Sequence, residues 1–446
     1  MRKFLPVVFC FAAPLAAAQQ NNKLVSMVDQ ELPTLIATYK NLHAAPELSH
    51  HEEKTSALLA ERLRSWGYDV TEHVGKYPDP DWKGYGVVAV MKNGAGPTLL
   101  VRADMDALPV EEKTGLPYAS KVRTKDDSGA EVPVMHACGH DVHVTSLLGT
   151  AKMLSALKEQ WRGTLVLIGQ PAEERIDGAR AMLADGLYTR FPKPDFAIAL
   201  HDSGDVQAGK ITFTPGYSLA SATSVDVTIR GRSSHGSRPE SSKDPIVMAA
   251  EYILAIQTIV SRERSPFDPA VVTVGSIHGG TKHNIIPDEV HLQLSIRTYK
   301  EEVRQQVISS LERIARGIAI AGGVPDDRMP TVEASKTEYT PATYNDPALA
   351  ARVAAAIRGA IGKDNVAEGA PVMASEDFGS FGLENHQIPI FMFSLGAIDA
   401  DRFNASHNGG NPLPSLHSGL FYPAPEPTLR TGVIAMTAAV LDLLKK

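Results

Sequence analysis

The apolar positions change period along the chain. Across residues 28–66 they recur at helical spacing, broken near His43 to Glu47 and stopped at Gly67, which predicts two successive helices. Three short unbroken apolar runs follow, at 98–101, 164–168 and 196–200, the pattern of strands buried on both faces. A helix over 144–157 separates the first two, with Asp141 placed to cap its N-terminus. Such alternation predicts an α/β fold with a mostly parallel sheet covered by helices. From Ser221 the texture changes to a strand at 224–230, a helix at 245–261, strands at 271–276 and 290–297, a helix at 301–321 and a strand at 331–338. That is the β-α-β-β-α-β order of a split βαβ unit. The expectation is a first domain in two parts, 19–216 and 339–446, around an inserted α+β domain at 217–338, with a last helix over 429–444.

Residues 1–18 stand apart. Arg2 and Lys3, an apolar run over 4–15 and three alanines at 16–18 read as a secretory signal peptide cleaved after Ala18, with a periplasmic or secreted product. The run is too short to span a bilayer and contains Pro6 and Pro14, and no later segment is expected to reach spanning length. No membrane partner is therefore expected after cleavage. Cys10 leaves with the leader, so Cys138 remains alone and an intramolecular disulfide is excluded. The 446 residues suggest about two to three domains. With 44 Lys and Arg against 51 Asp and Glu, the charge of -7 argues against a nucleic-acid partner and leaves a small molecule or short peptide as substrate.

Each of the three apolar runs leads into ionisable groups: Arg102, Asp104 and Asp106; then Gln170, Glu173 and Glu174; then His201 and Asp202. In open α/β sheets the carboxyl ends of the strands line the ligand crevice, where these groups would gather. The densest cluster is His136, Cys138, His140, Asp141 and His143. In an extended backbone His136, Cys138 and His140 would share one face, and a thiolate beside imidazoles suits a first-row metal, zinc foremost. A buried structural cysteine among surface histidines is the competing reading. Adjacent Glu173 and Glu174 would diverge in an extended segment, one toward a metal and one toward substrate as general base. His417 alone, and the glycine-rich loops around His235 and Asn284, are weaker signals. No phosphate-cradling Gly-Lys-Ser loop and no Gly-x-Ser-x-Gly elbow is present, so nucleotide hydrolysis and serine-esterase chemistry lose support.

In order, these segments, together with His43 to Ser49, Asn284 to Asp288 and Ser375 to Phe378, resemble the amidohydrolase branch of the aminoacylase and carboxypeptidase-G type metallopeptidases. That branch includes hippurate hydrolases, N-acetyldiaminopimelate deacetylases and auxin–amino acid conjugate hydrolases. The resemblance covers nearly the whole mature chain. It implies a parallel-sheet catalytic domain with an inserted lid or dimerisation domain, and a site for two divalent ions, with zinc first and manganese, cobalt or nickel as alternatives. Cys138 would bridge the ions, with His140 and His201 on one and Glu174 and His417 on the other. Glu173 matches the general base, Asp106 a carboxylate that orients a ligand, and His235 an oxyanion-stabilising histidine supplied by the partner subunit of a homodimer. Asn284 and Arg297 match positions that grip the substrate carboxylate. The implied activity is hydrolysis of N-acyl amino acids, with a metallo-exopeptidase of the same architecture as the alternative and a binding protein without turnover as a more distant one. Two departures touch the pocket walls: Asp202 to Asp205 after His201, and Arg175 to Gly178 after the paired glutamates.

Overall fold

The apolar runs assemble into one large sheet in a computed structural model that describes residues 12–446. Its strands lie in the order Asp69–Val74, Gly86–Asn93, Gly163–Gln170, Thr98–Asp104, Phe196–Gln207, Ile390–Ile398, Thr343–Asn345 and Gly216–Leu219. The central strands, from Gly163–Gln170 to Thr343–Asn345, run parallel, and the pairs at either end are antiparallel. The fold is thus α/β with a mostly parallel sheet, as the alternation predicts. Helices Ala12–Ala44, Glu53–Ser65, His140–Ala156, Pro347–Ile361 and Pro425–Leu443 cover one face through residues such as Leu35, Leu59, Leu147, Val353 and Val433. The other face packs on Gly178–Ala184 and on Phe378 and Phe381.

The chain crosses at Ala220 into a second sheet and returns after Thr340. Four antiparallel strands, ordered Ala270–His278, Glu289–Thr298, Ser221–Arg230 and Thr331–Thr340, pack on helices Pro245–Thr258 and Glu301–Ala321. Alternate positions of Glu289–Thr298 are buried, placing Val290, Leu292, Leu294 and Ile296 against those helices.

Several expectations need correction. Asp141 is not the cap of its helix: Gly139 is, at φ +75°, and Asp141 lies inside the first turn. His201 and Asp202 lie within their strand, which continues to Gln207. The central strand Ile390–Ile398 had no counterpart in the sequence pattern as read. Pro245–Thr258 continues as a π-helical turn, and the 19 residues to Glu263 are long and apolar enough to cross a membrane by length and composition, contrary to expectation. One face of that helix, including Met248, Tyr252 and Ile256, is in the core of the smaller layer, while Ile246, Val247 and Leu254 are exposed. The leader falls largely on residues 1–11, outside the described residues, and the expected cleavage point after Ala18 falls within Ala12–Ala44.

Candidate metal centre and active site

The carboxyl ends of the parallel strands bring the predicted groups together. Cys138 ends a turn that Gly139 closes: a Cβ at Gly139 would sit 2.2 Å from an Asp202 carboxylate oxygen, so the close approach and the positive φ both require glycine. This turn overturns the extended reading. His140 opens the helix, while His136 is buried elsewhere with neither ring nitrogen paired among the described residues, and its burial lowers its pKa to about 4.

Two donor groups face each other across Cys138. Cys138, Glu174 and His417 form one; Asp104, His140, His143 and His201 form the other. His417 Nε2 lies 3.3 Å from Cys138 Sγ and 3.5 Å from Glu174, and His201 Nε2 is 3.7 Å from the same sulfur. The free ring nitrogens are aimed. His140 Nδ1 donates to the Asp106 carbonyl at 2.8 Å and His201 Nδ1 to the Asp202 carbonyl at 2.7 Å, which leaves each Nε2 as a lone-pair donor toward the cleft. His140 Nε2 and Glu174 Oε1 are buried without a hydrogen-bond partner among the described residues. A buried polar atom left unpaired costs about 1–3 kcal/mol, so an ion accounts for this arrangement better than a structural role does. A Cys, His and Glu donor set fits first-row divalent ions.

Glu173 and Glu174 occupy a tight turn, not an extended segment. Ala172 and Ile176 adopt positive φ on either side, and Gly178 is obligatory because a Cβ there would lie 1.6 Å from the Pro171 carbonyl. Both carboxylates therefore reach the cleft, with Glu173 3.8 Å from His140 Nε2. Asp106 holds the turn: its Oδ2 accepts from the Glu174 N–H at 3.0 Å and from Ser49 at 2.7 Å. Burial, then Glu376, Glu174 and Asp377, push the Glu173 carboxyl well above its ordinary range. Burial and His143 lower His201, and burial, His140 and His201 lower His417, which keeps both imidazoles neutral and able to ligate.

Beneath the cleft lies a buried ionic hub that the sequence reading had left without a role. Arg102 donates to Gln170 (2.8 Å), Asp104 (2.6 Å), Glu376 (2.6 Å) and Asp377 (3.1 Å). Asp104 also meets His143 Nδ1 at 2.5 Å, and His143 Nε2 accepts from the Asp202 N–H, so Asp202 and His143 brace the His201 strand. The available signal was the segment Ser375 to Phe378, which carried the resemblance without an assigned partner.

A cleft of about 1200 Å³ contains Cys138, Glu173, Glu174, His201 and His417 and is roofed by Arg297 and Ser295 from the smaller sheet. Arg297 donates to Met373 O and Ser375 Oγ, both at 3.1 Å. His235 and Asn284 do not line this cleft. They lie together on exposed loops joined by the pairing of Ser234–His235 with Ile285–Ile286, where Gly236 N–H donates to the Asn284 carbonyl.

A family model for "Peptidase family M20/M25/M40" matches residues 100–419. A hippurate hydrolase of Campylobacter jejuni is 38% identical over 342 residues, 76% of this chain and 82% of the relative. Thermostable carboxypeptidase 1 of Saccharolobus solfataricus is 35% identical over 350 residues, 78% of this chain and 82% of that one. The solved structure of a dinuclear metal binding peptidase of the M20 family from Bacillus subtilis matches with a TM-score of 0.72 at 27% identity, covering 93% of this chain and 99% of that one.

Proposed function

The chain belongs to peptidase family M20/M25/M40, whose members are metal-dependent amide hydrolases, and from that premise we propose that it hydrolyses N-acyl amino acids to a carboxylic acid and a free amino acid. The observation that carries this reading is the pair of donor groups meeting at Cys138, with Glu173 buried beside them. In this reading Cys138, His140, His201, Glu174 and His417 would together hold two divalent ions, His140 and His201 on the side of one and Glu174 and His417 on the side of the other. Zinc is the first choice because thiolate and imidazole suit it, with manganese, cobalt or nickel according to supply. When bound, the ions supply Lewis-acid polarisation of the scissile carbonyl and acidify water at the site.

The remaining work falls to the protein. Glu173, held high by burial and neighbouring carboxylates, takes a proton from the attacking water and returns it to the leaving nitrogen. Asp106 fixes the His140 ring through its carbonyl and the Glu174 backbone through its carboxylate, so both ligands keep their aim. Arg297, in the cleft roof, is assigned to the substrate carboxylate. His235 and Asn284 are assigned to a neighbouring subunit's cleft, His235 as donor to the oxyanion and Asn284 to the substrate carboxylate. The exposed apolar residues Ile246, Val247 and Leu254 support this homodimer, since a second copy would cover them. Export to the periplasm or beyond belongs to the same reading and rests on residues 1–18.

The second reading, a metallo-exopeptidase, is favoured by the carboxypeptidase relative. Amino-acid release from a panel of N-acyl amino acids and dipeptides separates the two. Turnover of the acyl compounds is expected, and turnover of dipeptides alone would transfer the assignment to the peptidase.

A further inference from the structure

The segment after the paired glutamates, one of the two departures in the sequence, builds a wall of the cleft. His50 Nε2 lies 3.2 and 3.3 Å from the two Asp177 carboxylate oxygens. The His50 ring stacks on Trp82 with centroids 4.0 Å apart and planes 19° apart, and Tyr77 meets the same ring edge-on at 4.7 Å. His50 is 4% exposed and sits at φ +66°, a conformation a non-glycine residue adopts only when its surroundings dictate it. Those surroundings are Glu52, whose Oε1 accepts both the His50 N–H (3.1 Å) and the Ala172 N–H (2.7 Å). One carboxylate therefore anchors the His50 loop and the turn that bears Glu173. Trp82 also packs against the cluster of Tyr77, Ala172 and Ala181, and it lines the cleft with Glu173, Arg175, Ile176 and Asp177.

We propose that Trp82 is a specificity-determining residue that seats an aromatic ring of the substrate, and that His50, clamped by Asp177, is its positioning residue. The proposal deepens the N-acyl amino acid reading and rests on it for the chemical class. His50 covers one face of the indole, and Trp82 is itself among the residues that line the cleft, so the indole's remaining surface is assigned to the substrate. An indole surface rewards a ring, through offset stacking in addition to area, more than it rewards a methyl group. Arg175 in the same wall disfavours a cationic group there, which would otherwise compete for an indole face.

The test compares N-acetylglycine, N-benzoylglycine and N-acetylphenylalanine on the metal-loaded protein and on Trp82→Ala, Trp82→Phe and His50→Phe. Trp82→Ala is expected to lower kcat/KM about 10-fold to 100-fold on a ring-bearing substrate, mainly through KM, while N-acetylglycine stays within about 3-fold. Trp82→Phe should recover most of the loss, and His50→Phe, which keeps a stacking ring but frees it from Asp177, should give a smaller KM effect on the same substrate. A loss confined to N-benzoylglycine puts the ring on the acyl side; one confined to N-acetylphenylalanine puts it on the amino-acid side. Equal losses on all three substrates, or none on any, overturn the proposal. Should the native protein cleave none of them, the N-acyl amino acid reading fails by itself. Tryptophan fluorescence quenching by N-benzoylglycine then still decides the seat: it is expected in Glu173→Gln protein and absent when Trp82→Phe is added, and its persistence without Trp82 contradicts the proposal.

Discussion

The Arg102 hub and the donor groups around Cys138 are both buried, polar and built from strand ends, yet they are finished differently. Arg102, fully buried, spreads its donors over Gln170, Asp104, Glu376 and Asp377. Above it, His140 Nε2 and Glu174 Oε1 have no hydrogen-bond partner among the described residues, and the burial of both Cys138 and Glu174 opposes charge on them. The hub's cation is fully paired by protein groups, with Glu376 Oε2 left without a hydrogen-bond partner among the described residues, and it supports folding. The cradle is completed by something from outside, and its unpaired atoms mark where.

Predictions that separate the two regions run from large to small. Replacing Glu173 with Gln removes the proposed proton carrier while conserving side-chain size, and is expected to cut kcat by about 10² to 10⁴ in steady-state assays. Arg102→Met removes the cation shared by Asp104, Glu376 and Asp377 and should destabilise the protein by about 3–5 kcal/mol in denaturant unfolding, with or without metal. His417→Ala is the converse. Its side chain is 55% exposed, so the metal-free protein should unfold within about 1 kcal/mol of the parent while losing metal affinity in a direct titration. An Arg102 variant that lost only metal, or a His417 variant that unfolded, would erase the distinction between hub and cradle.

The smallest effect concerns His43, behind the cradle. Burial opposes its charge, but hydrogen bonds with Asp141 at 2.7 Å and Glu112 at 3.2 Å outweigh it and raise the imidazole to about 10. Its folded pKa lies above the unfolded value of about 6.5, so its stabilisation is complete below pH ~6.5 and is lost as pH rises toward 10. Thermal unfolding between pH 6 and 10 should show a falling Tm in the parent and a shallower fall in His43→Phe.

Legibility in the sequence followed distance along the chain. Cys138 and His140, and Glu173 and Glu174, announce themselves because each pair is nearly contiguous, the first in a dense cluster just before a helix and the second just after an apolar strand. His201 and His417 acquire meaning mainly through the ordered resemblance. The hub was not legible, because Arg102 meets Glu376 and Asp377 only after a long excursion through the second sheet. The wall of His50, Trp82 and Asp177 draws on three separate loops and was hidden for the same reason. Local pattern also misled where a turn replaced extended backbone: Gly139 and Gly178 fold their segments tightly, which separates His136 from the donors and turns both glutamates into the cleft. The run at 245–261 read simply as a helix, because its exposed apolar side becomes apparent only once its packed face is known.

The central claim is that the unpaired atoms around Cys138 receive two ions on which amide hydrolysis depends. The most direct measurement strips the protein with chelator, titrates back zinc, manganese or cobalt, and follows ions bound per chain together with release of glycine from an N-acylglycine. No turnover is expected in the stripped protein, with two ions bound per chain on titration and turnover recovering as they bind. Undiminished hydrolysis after stripping, or full binding of two ions with no hydrolysis of any amide in the panel, would contradict it.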